Sequence, residues 1–359
     1  MTRVLSQWRQ VTIAATLVVL FASGAIRPVY PQSRAQVVYV SALGGLQEDF
    51  ENFIGPVLEK TTGMRLQFVP RGVSTEVLAL IRAQRTNPQI DVAFLDEGPG
   101  YEGVTLGLFQ PLDPAIVTNL KHMYPIAVLP GNPAVLTRAS ALGLIYHTGI
   151  FRQNRWPAPT RWADLFRPEF KKKIILAHSS TTFGPITLIQ MAKMNGGDMR
   201  NIDPGFQKMK ELAPSVLTYE RTFQRYGELF QAGEAAIGVW SNIGSTILKT
   251  LGVPVDFVLP ADGAYALLGM AAAVKGAPNP KGAQLLINLL LSAEVQRYLA
   301  ETRNYGPLNR NTKLPPEIAE QVVHGADAIG KLQRVDWIYL NTVRAQWTER
   351  MAKEVETIR

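Results

Sequence analysis

One segment type recurs along this chain and restricts its fold more than any other feature: a short apolar run that stops at a small, polar, glycine-bearing loop. VVYV (37–40) meets SALGG (41–45), DVAFL (91–95) meets DEGPG (96–100), and KIILA (173–177) meets HSSTTFG (178–184). AAIGV (235–239) runs into WSNIGS (240–245), and DFVLP (256–260) into ADGA (261–264). Brief apolar runs bounded by turn residues read as strands buried on both faces. Helical spacing between most of them predicts an α/β fold of parallel strands with crossover helices. In such sheets ligands bind beyond the carboxyl ends of the strands, so the runs mark five candidate ligand loops.

The intervening segments follow the same logic. Phe50, Phe53, Ile54, Val57 and Leu58 fall at helical spacing before a stop at Gly63. MRLQFV (64–69) alternates as a strand, and Ser74 or Thr75 caps a helix that ends at Asn87-Pro88. The stretch 107–133 holds five prolines and no periodicity, and 141–149 reads as extended. Pro185 opens a helix that stops at Gly196-Gly197, with further helices over 204–213 and 221–232. Residues 264–274 read as an extended return, 280–302 as one amphipathic helix, and 336–357 as a terminal helix.

Arg3 and Arg9 precede an apolar stretch from Val11 to Ile26. It is shorter than the roughly 20 residues of a membrane span and matches the basic and apolar regions of a secretory signal. Small-x-small sites occur at Ser23-Gly24-Ala25 and Ser33-Arg34-Ala35. The second makes 1–35 the signal peptide and Gln36 the mature start; a retained signal anchor is the competing reading. Those residues carry four arginines and no acid, so half of the formal +8 leaves with them. The densest remaining basic cluster, Lys171-Lys172-Lys173, is a solvated turn, and no nucleic-acid partner is predicted. The absence of cysteine excludes disulfides, thiolate catalysis and a lipidated anchor, which favours a free protein in a Gram-negative periplasm. His122, His147, His178 and His324 lie far apart, so neither a metal site nor a cofactor is expected. No G-x-S-x-G elbow, H-E-x-x-H helix, P-loop or G-x-G-x-x-G occurs. His178 beside Ser179 and Ser180 leaves a periplasmic hydrolase as an alternative, because a triad depends on approach in space.

The pieces also match a family pattern in their order. SALGG is followed by a helix ending in Thr62-Gly63, then IDVAFLD (90–96), GLFQPLD (107–113), GLIYHTGIF (143–151) and PTRWADL (159–165) with RPEFKKKIIL (167–176). GEAAIGV (233–239), PADGA (260–264), KGAPNPKGAQLLINLLLSAEVQRYLA (275–300) and GPLN (306–309) complete the set. The whole resembles extracellular solute-binding proteins of ABC importers, in the group with polyamine-, ferric-ion- and aminoethylphosphonate-binding members. That resemblance implies the two-lobed type II periplasmic-binding-protein fold with two crossover strands, near 133–146 and 263–274. It implies a first lobe of 36–135 plus 270–359 and a second of 136–269, closing like a clamshell on one solute. It further implies a monomer that delivers a small-molecule solute to an inner-membrane ABC permease and its ATPase, or reports to a sensor kinase.

Members of the group differ in their ligands. The polyamine binders resemble one another in Pro-x-Glu-Gly followed by a Trp and an Asp; here stand Pro260-Ala261-Asp262-Gly263, then Leu267 and Gly269. The ferric binders resemble one another in a Tyr-Tyr pair after a strand like EAAIGV; here stand Trp240-Ser241-Asn242. Polyamine and ferric ion are therefore alternatives to a different main reading. Ser179, Ser180, Thr181 and Thr182 precede one helix N-terminus, and Ser41, Gly44 and Gly45 another, places suited to a carboxylate or phosphate. Plain helix capping uses the same residues. Asp96 and Glu97 suit an ammonium or a turn, Trp240 and Tyr265 an apolar wall or the core, and Arg71 and Arg221 are candidate countercharges. Ser74, Ser241, Asn242 and Asp262 complete the predicted ligand-binding set. The expected solute is a small anionic or zwitterionic organic molecule, captured without catalysis.

Overall fold

The computed structural model describes residues 36–358; the segment read as a signal peptide lies outside them. One mixed sheet runs through the described residues. Its strands are β1 Val37–Leu43, β2 Arg65–Arg71, β3 Val92–Asp96, β4 Phe109–Gln110, β5 Val135–His147, β6 Ile174–Ala177, β7 Val216–Glu220, β8 Ile237–Ser241, β9 Val255–Val258, β10 Tyr265–Val274 and β11 Gly306–Pro307. Their order is β2-β1-β3-β10-β5-β8-β6-β7, with β4 paired to β10 and both β9 and β11 to β5.

At each end the strands are parallel, as the βα pattern requires. β1 pairs in parallel with β2 and β3, and β6 with β7 and β8. The long β5 and β10 run antiparallel to each other and to their outer neighbours. They join two separate cores. Val135 to Ala141 of β5 enter the first core, built on β1, β3 and β10; Leu142 and Leu144 enter the second, with Ile174, Ile186 and Val239. Twelve of thirteen β5 residues are buried, because this strand has hydrocarbon on both faces along its length. Ala266, Leu268 and Met270 to Val274 of β10 serve the first core, while Tyr265 and Leu267 pack in the second.

The terminal helix Trp337–Glu354 touches both regions. Trp337, Leu340, Trp347 and Met351 join the second core, although the resemblance grouped this segment with the first lobe. Asn341 Nδ2 also donates to the Gly98 carbonyl of the helix Glu97–Thr105, at 3.0 Å.

Three local differences from the sequence expectations have plain causes. The helix read over 280–302 is two helices, Pro280–Leu290 and Ala293–Arg303. Ser292 is extended and its hydroxyl accepts the Val295 N–H at 3.2 Å, which caps a new helix in preference to continuing the old one. β5 begins six residues before the extended segment read from Ala141, since Arg138 interrupts the apolar run. The first helix contains a wider turn at Phe50–Ile54; a Cβ on Gly55 would lie 2.9 Å from the Phe50 carbonyl oxygen, so glycine admits it.

Candidate ligand-binding cleft

A cavity of about 550 Å³ opens where the carboxyl ends of β1, β3 and β8 and the loops after β6 and β7 face the crossover strands. It lies where an open α/β sheet places its ligand. Leu43 ends β1, Asp96 ends β3 and Ser241 ends β8; Arg138 and Ser140 come from β5, Leu267 and Leu268 from β10.

Two carboxylates line this cavity, and each already holds an arginine. Arg138 Nη2 lies 2.8 Å from Asp96 Oδ1, while the Ser74 hydroxyl donates to Asp96 Oδ2 at 2.9 Å. The Arg138 side chain is almost fully buried, with Phe94 and Tyr305 rings each 4.8 Å from its guanidinium carbon. Its Nη1 has no hydrogen-bond partner. Glu97 Oε1 pairs with Arg334 Nη2 at 2.8 Å, and its Oε2 accepts the Leu268 N–H at 3.3 Å. Burial raises the Glu97 carboxyl to about 7, against the opposing pull of Arg334.

The opposite wall begins at the loop before the helix Phe183–Met194. Arg221 Nη1 donates to the Ser180 hydroxyl at 2.8 Å, and Arg221 Nη2 lies 2.7 Å from His178 Nε2. Behind them Glu356 accepts the Ser179 N–H at 3.0 Å and stands 3.1 Å from His178 Nε2. Arg344 of the terminal helix donates to the Ser180 carbonyl at 3.2 Å. Burial pulls the Arg344 guanidinium below its ordinary value. Arg221 and Arg344 both line the cavity, and neither has a carboxylate within ion-pair distance among the described residues. Phe183, Phe223 and Trp240 form an aromatic wall beside them, with Phe183 edge-on to Trp240 at 5.0 Å.

Of the residues read from the sequence, Asp96, Glu97, Thr181, Thr182, Arg221, Trp240 and Ser241 come together on this cavity. The others stand elsewhere. Ser41 is buried in β1 and donates to the Val69 carbonyl, Gly44 and Gly45 open a single exposed turn after it, and Ser74 stands behind Asp96. Ser179 and Ser180 brace the loop from outside the cavity. Asn242 accepts the Ala141 N–H, Asp262 accepts the Trp162 N–H, and Tyr265 is packed in the second core. Arg71 is half-buried and bonds the neighbouring Pro70 carbonyl. Sequence reading passed over Arg138, Arg344, Phe183, Phe223, Tyr305 and Trp337. A lone arginine inside an apolar run marks Arg138, and aromatics directly after the caps Thr182 and Thr222 mark Phe183 and Phe223. Arg344 reaches its loop across 164 residues and carries no local mark.

Among the described residues no group of three or more His, Asp or Glu is placed to hold a metal, and no helix is long and apolar enough to cross a membrane.

Comparison with known proteins fits this geometry. The model of the bacterial extracellular solute-binding proteins matches residues 54–324, and the chain belongs to that family. A spermidine/putrescine-binding periplasmic protein of Escherichia coli is 28% identical over 172 residues, 47% of this chain and 49% of the relative. The match therefore spans about half the length of that relative. A second, spermidine/putrescine-binding periplasmic protein 1 of Haemophilus influenzae, is 28% identical over 60% of each chain. The crystal structure of an ABC transporter protein from Clostridium perfringens superposes with a TM-score of 0.79 at 24% identity, covering 89% of this chain and 99% of that one. The periplasmic binding protein AfuA of Actinobacillus pleuropneumoniae, solved with fructose 6-phosphate, gives 0.67 at 22% identity, covering 90% and 98%. These likenesses show the two-lobed type II periplasmic-binding-protein fold.

Proposed function

We propose that this chain is the solute-binding component of an ABC import system, working in the periplasm as a monomer. It captures a small organic anion by closing its lobes and presents it to an inner-membrane permease and its ATPase. In this reading the lobes divide where β5 and β10 pass from one core to the other, and the terminal helix packs on both.

The pair Arg221 and Arg344 carries the anion reading. Both guanidinium groups border the cavity, both bond to Ser180, and neither forms an ion pair with a carboxylate among the described residues. Arg344 is partly withdrawn from water and Arg221 is exposed beside it, and an acidic ligand stabilises both charges. An ammonium ligand finds the reverse, because Asp96 and Glu97 are held by Arg138 and Arg334. A zwitterion is therefore less favoured than a plain anion. Polyamine is the second reading, supported by the names of the relatives above; it requires one of those carboxylates to leave its arginine.

Catalysis is not part of this proposal. Ser180 Oγ, His178 and Glu356 stand in series at 2.9 and 3.1 Å, distances that a hydrolase would use. A general base must accept a proton, and burial together with Arg221 lowers the His178 pKa while Glu356 opposes them. The trio instead acts as the bracket for Arg221.

The test is a thermal-shift and calorimetric screen of the chain from Gln36 against carboxylates, phosphonates, amino acids, polyamines and ferric citrate. A ligand at 100 times its Kd adds roughly 2.7 kcal/mol of stability. An anion should stabilise the protein, and Arg221→Gln or Arg344→Gln should weaken it by about 1.5–3 kcal/mol. Stabilisation by polyamines alone would remove the anion reading.

A further inference from the structure

We propose that the anion held in this cleft carries an apolar body, best supplied by an aromatic ring. The proposal rests on the anion reading and adds what the remainder of the cavity demands. With the two ion pairs set aside, the polar groups on the walls are mostly committed within the protein. Ser140 Oγ donates to the Leu267 carbonyl at 3.1 Å, and Thr181 Oγ1 to the His178 carbonyl at 2.8 Å. Ser241 Oγ accepts the Gly244 N–H at 3.1 Å. No asparagine or glutamine is among the described residues lining the cavity.

A sugar or other polyol brings hydroxyl groups that each lose hydration on entry and require a partner inside. These walls lack the amides and free carboxylates that such a ligand needs. They offer hydrocarbon instead. On the second-lobe side, Phe183 and Phe223 flank Trp240, with ring centroids 5.0 and 6.2 Å away. Tyr226 stacks on Trp240 at 3.9 Å from behind and fixes its plane. Leu267 and Trp337 border the same space, and Val73, before the helix Ser74–Ala83, is left 50% exposed. Apolar surface in a concave site favours an occupant that covers it. The acidic group of the ligand lies at Arg221 and Arg344, and its ring or chain lies between the aromatic wall and Leu267.

Titration calorimetry with matched probes tests this: phenylphosphonate against methylphosphonate, phenylacetate against glycolate, then fructose 6-phosphate and putrescine. The phenyl member of each pair should bind roughly tenfold tighter or more, a difference of about 1.4 kcal/mol, and should change the tryptophan emission. Phe223→Ala should shrink that ratio, with circular-dichroism melting as the check on folding; Phe223→Leu serves if the alanine variant does not fold. Equal affinity within the pairs, or tighter binding of fructose 6-phosphate, overturns the apolar body and leaves the anion reading standing. Binding of putrescine alone overturns both. No binding of either phenyl probe at about 1 mM, a free energy weaker than about 4.1 kcal/mol, overturns the apolar body.

Discussion

Arg138 and Asp96 show how a residue can lie on the cleft and still be unavailable to a ligand. Arg138 is buried between two rings, so its charge depends on the Asp96 carboxylate 2.8 Å away. Asp96→Asn removes that countercharge and leaves a desolvated guanidinium behind. Because the Asp96 side chain is about half exposed, water screens part of the loss. A destabilisation of about 1–2 kcal/mol is expected, read as a lower urea midpoint, with anion affinity unchanged or slightly raised. Glu97 gives a pH signature. Its carboxyl is raised to about 7 in the folded protein and returns to its ordinary value on unfolding. The native state therefore holds the proton more tightly over that interval. The contribution is complete below the unfolded pKa and is lost as pH climbs through 7. Over the whole interval the loss is about 3 kcal/mol, at 1.36 kcal/mol per unit. Glu97→Gln should flatten the stability profile between about pH 5 and 8; an unaltered slope would assign the effect to another group.

At the scale of elements, the loop 178–182 is held from three directions. The helix Phe183–Met194 follows it, Arg344 of the terminal helix bonds its Ser180 carbonyl, and Glu356 accepts its Ser179 N–H. Gly184 permits the close seat. A Cβ there would lie 2.6 Å from both the His178 carbonyl oxygen and the Ser179 Cα, backbone atoms that no rotamer change can move. Gly184→Ala should lift the loop away from the helix, costing about 1–3 kcal/mol. It should also weaken anion binding, which titration would register separately from the melting temperature. Elements of this kind were largely legible in the sequence, since caps, stops and apolar spacing act within a few residues. The break at Ser292 was not, because Leu285 to Leu299 keep one apolar face across it and only the capping hydroxyl distinguishes the two helices.

For the molecule as a whole, two cores share one sheet, and the chain passes between them along β5 and β10. Relative motion of the lobes must bend these two strands. Their pairing shifts register between Gly269 and Met270, beside the cleft, where Arg138 crosses over Gly269. A saturating ligand should lower the radius of gyration in small-angle scattering, with the secondary-structure spectrum unchanged. An identical radius with and without ligand would mean that binding does not close the lobes.

The sequence by itself determined the α/β class, the parallel runs at both ends, the extended segments at 141–149 and 264–274 and the loops at the strand ends. Each is written in contiguous residues through apolar period and turn chemistry. It also placed Thr181 and Thr182 in a loop, and Trp240 and Ser241 at a strand end, that border the cavity. Only the tertiary structure decided which of the small polar residues face that cavity and which ones cap, brace or pack. It set Asp96 against an arginine 42 residues onward and brought Arg344 to a loop 164 residues before it. The charge balance of the cleft is a sum over such pairs. Local pattern cannot carry it, because a carboxylate next to a strand end reads the same whether or not a distant guanidinium has folded onto it.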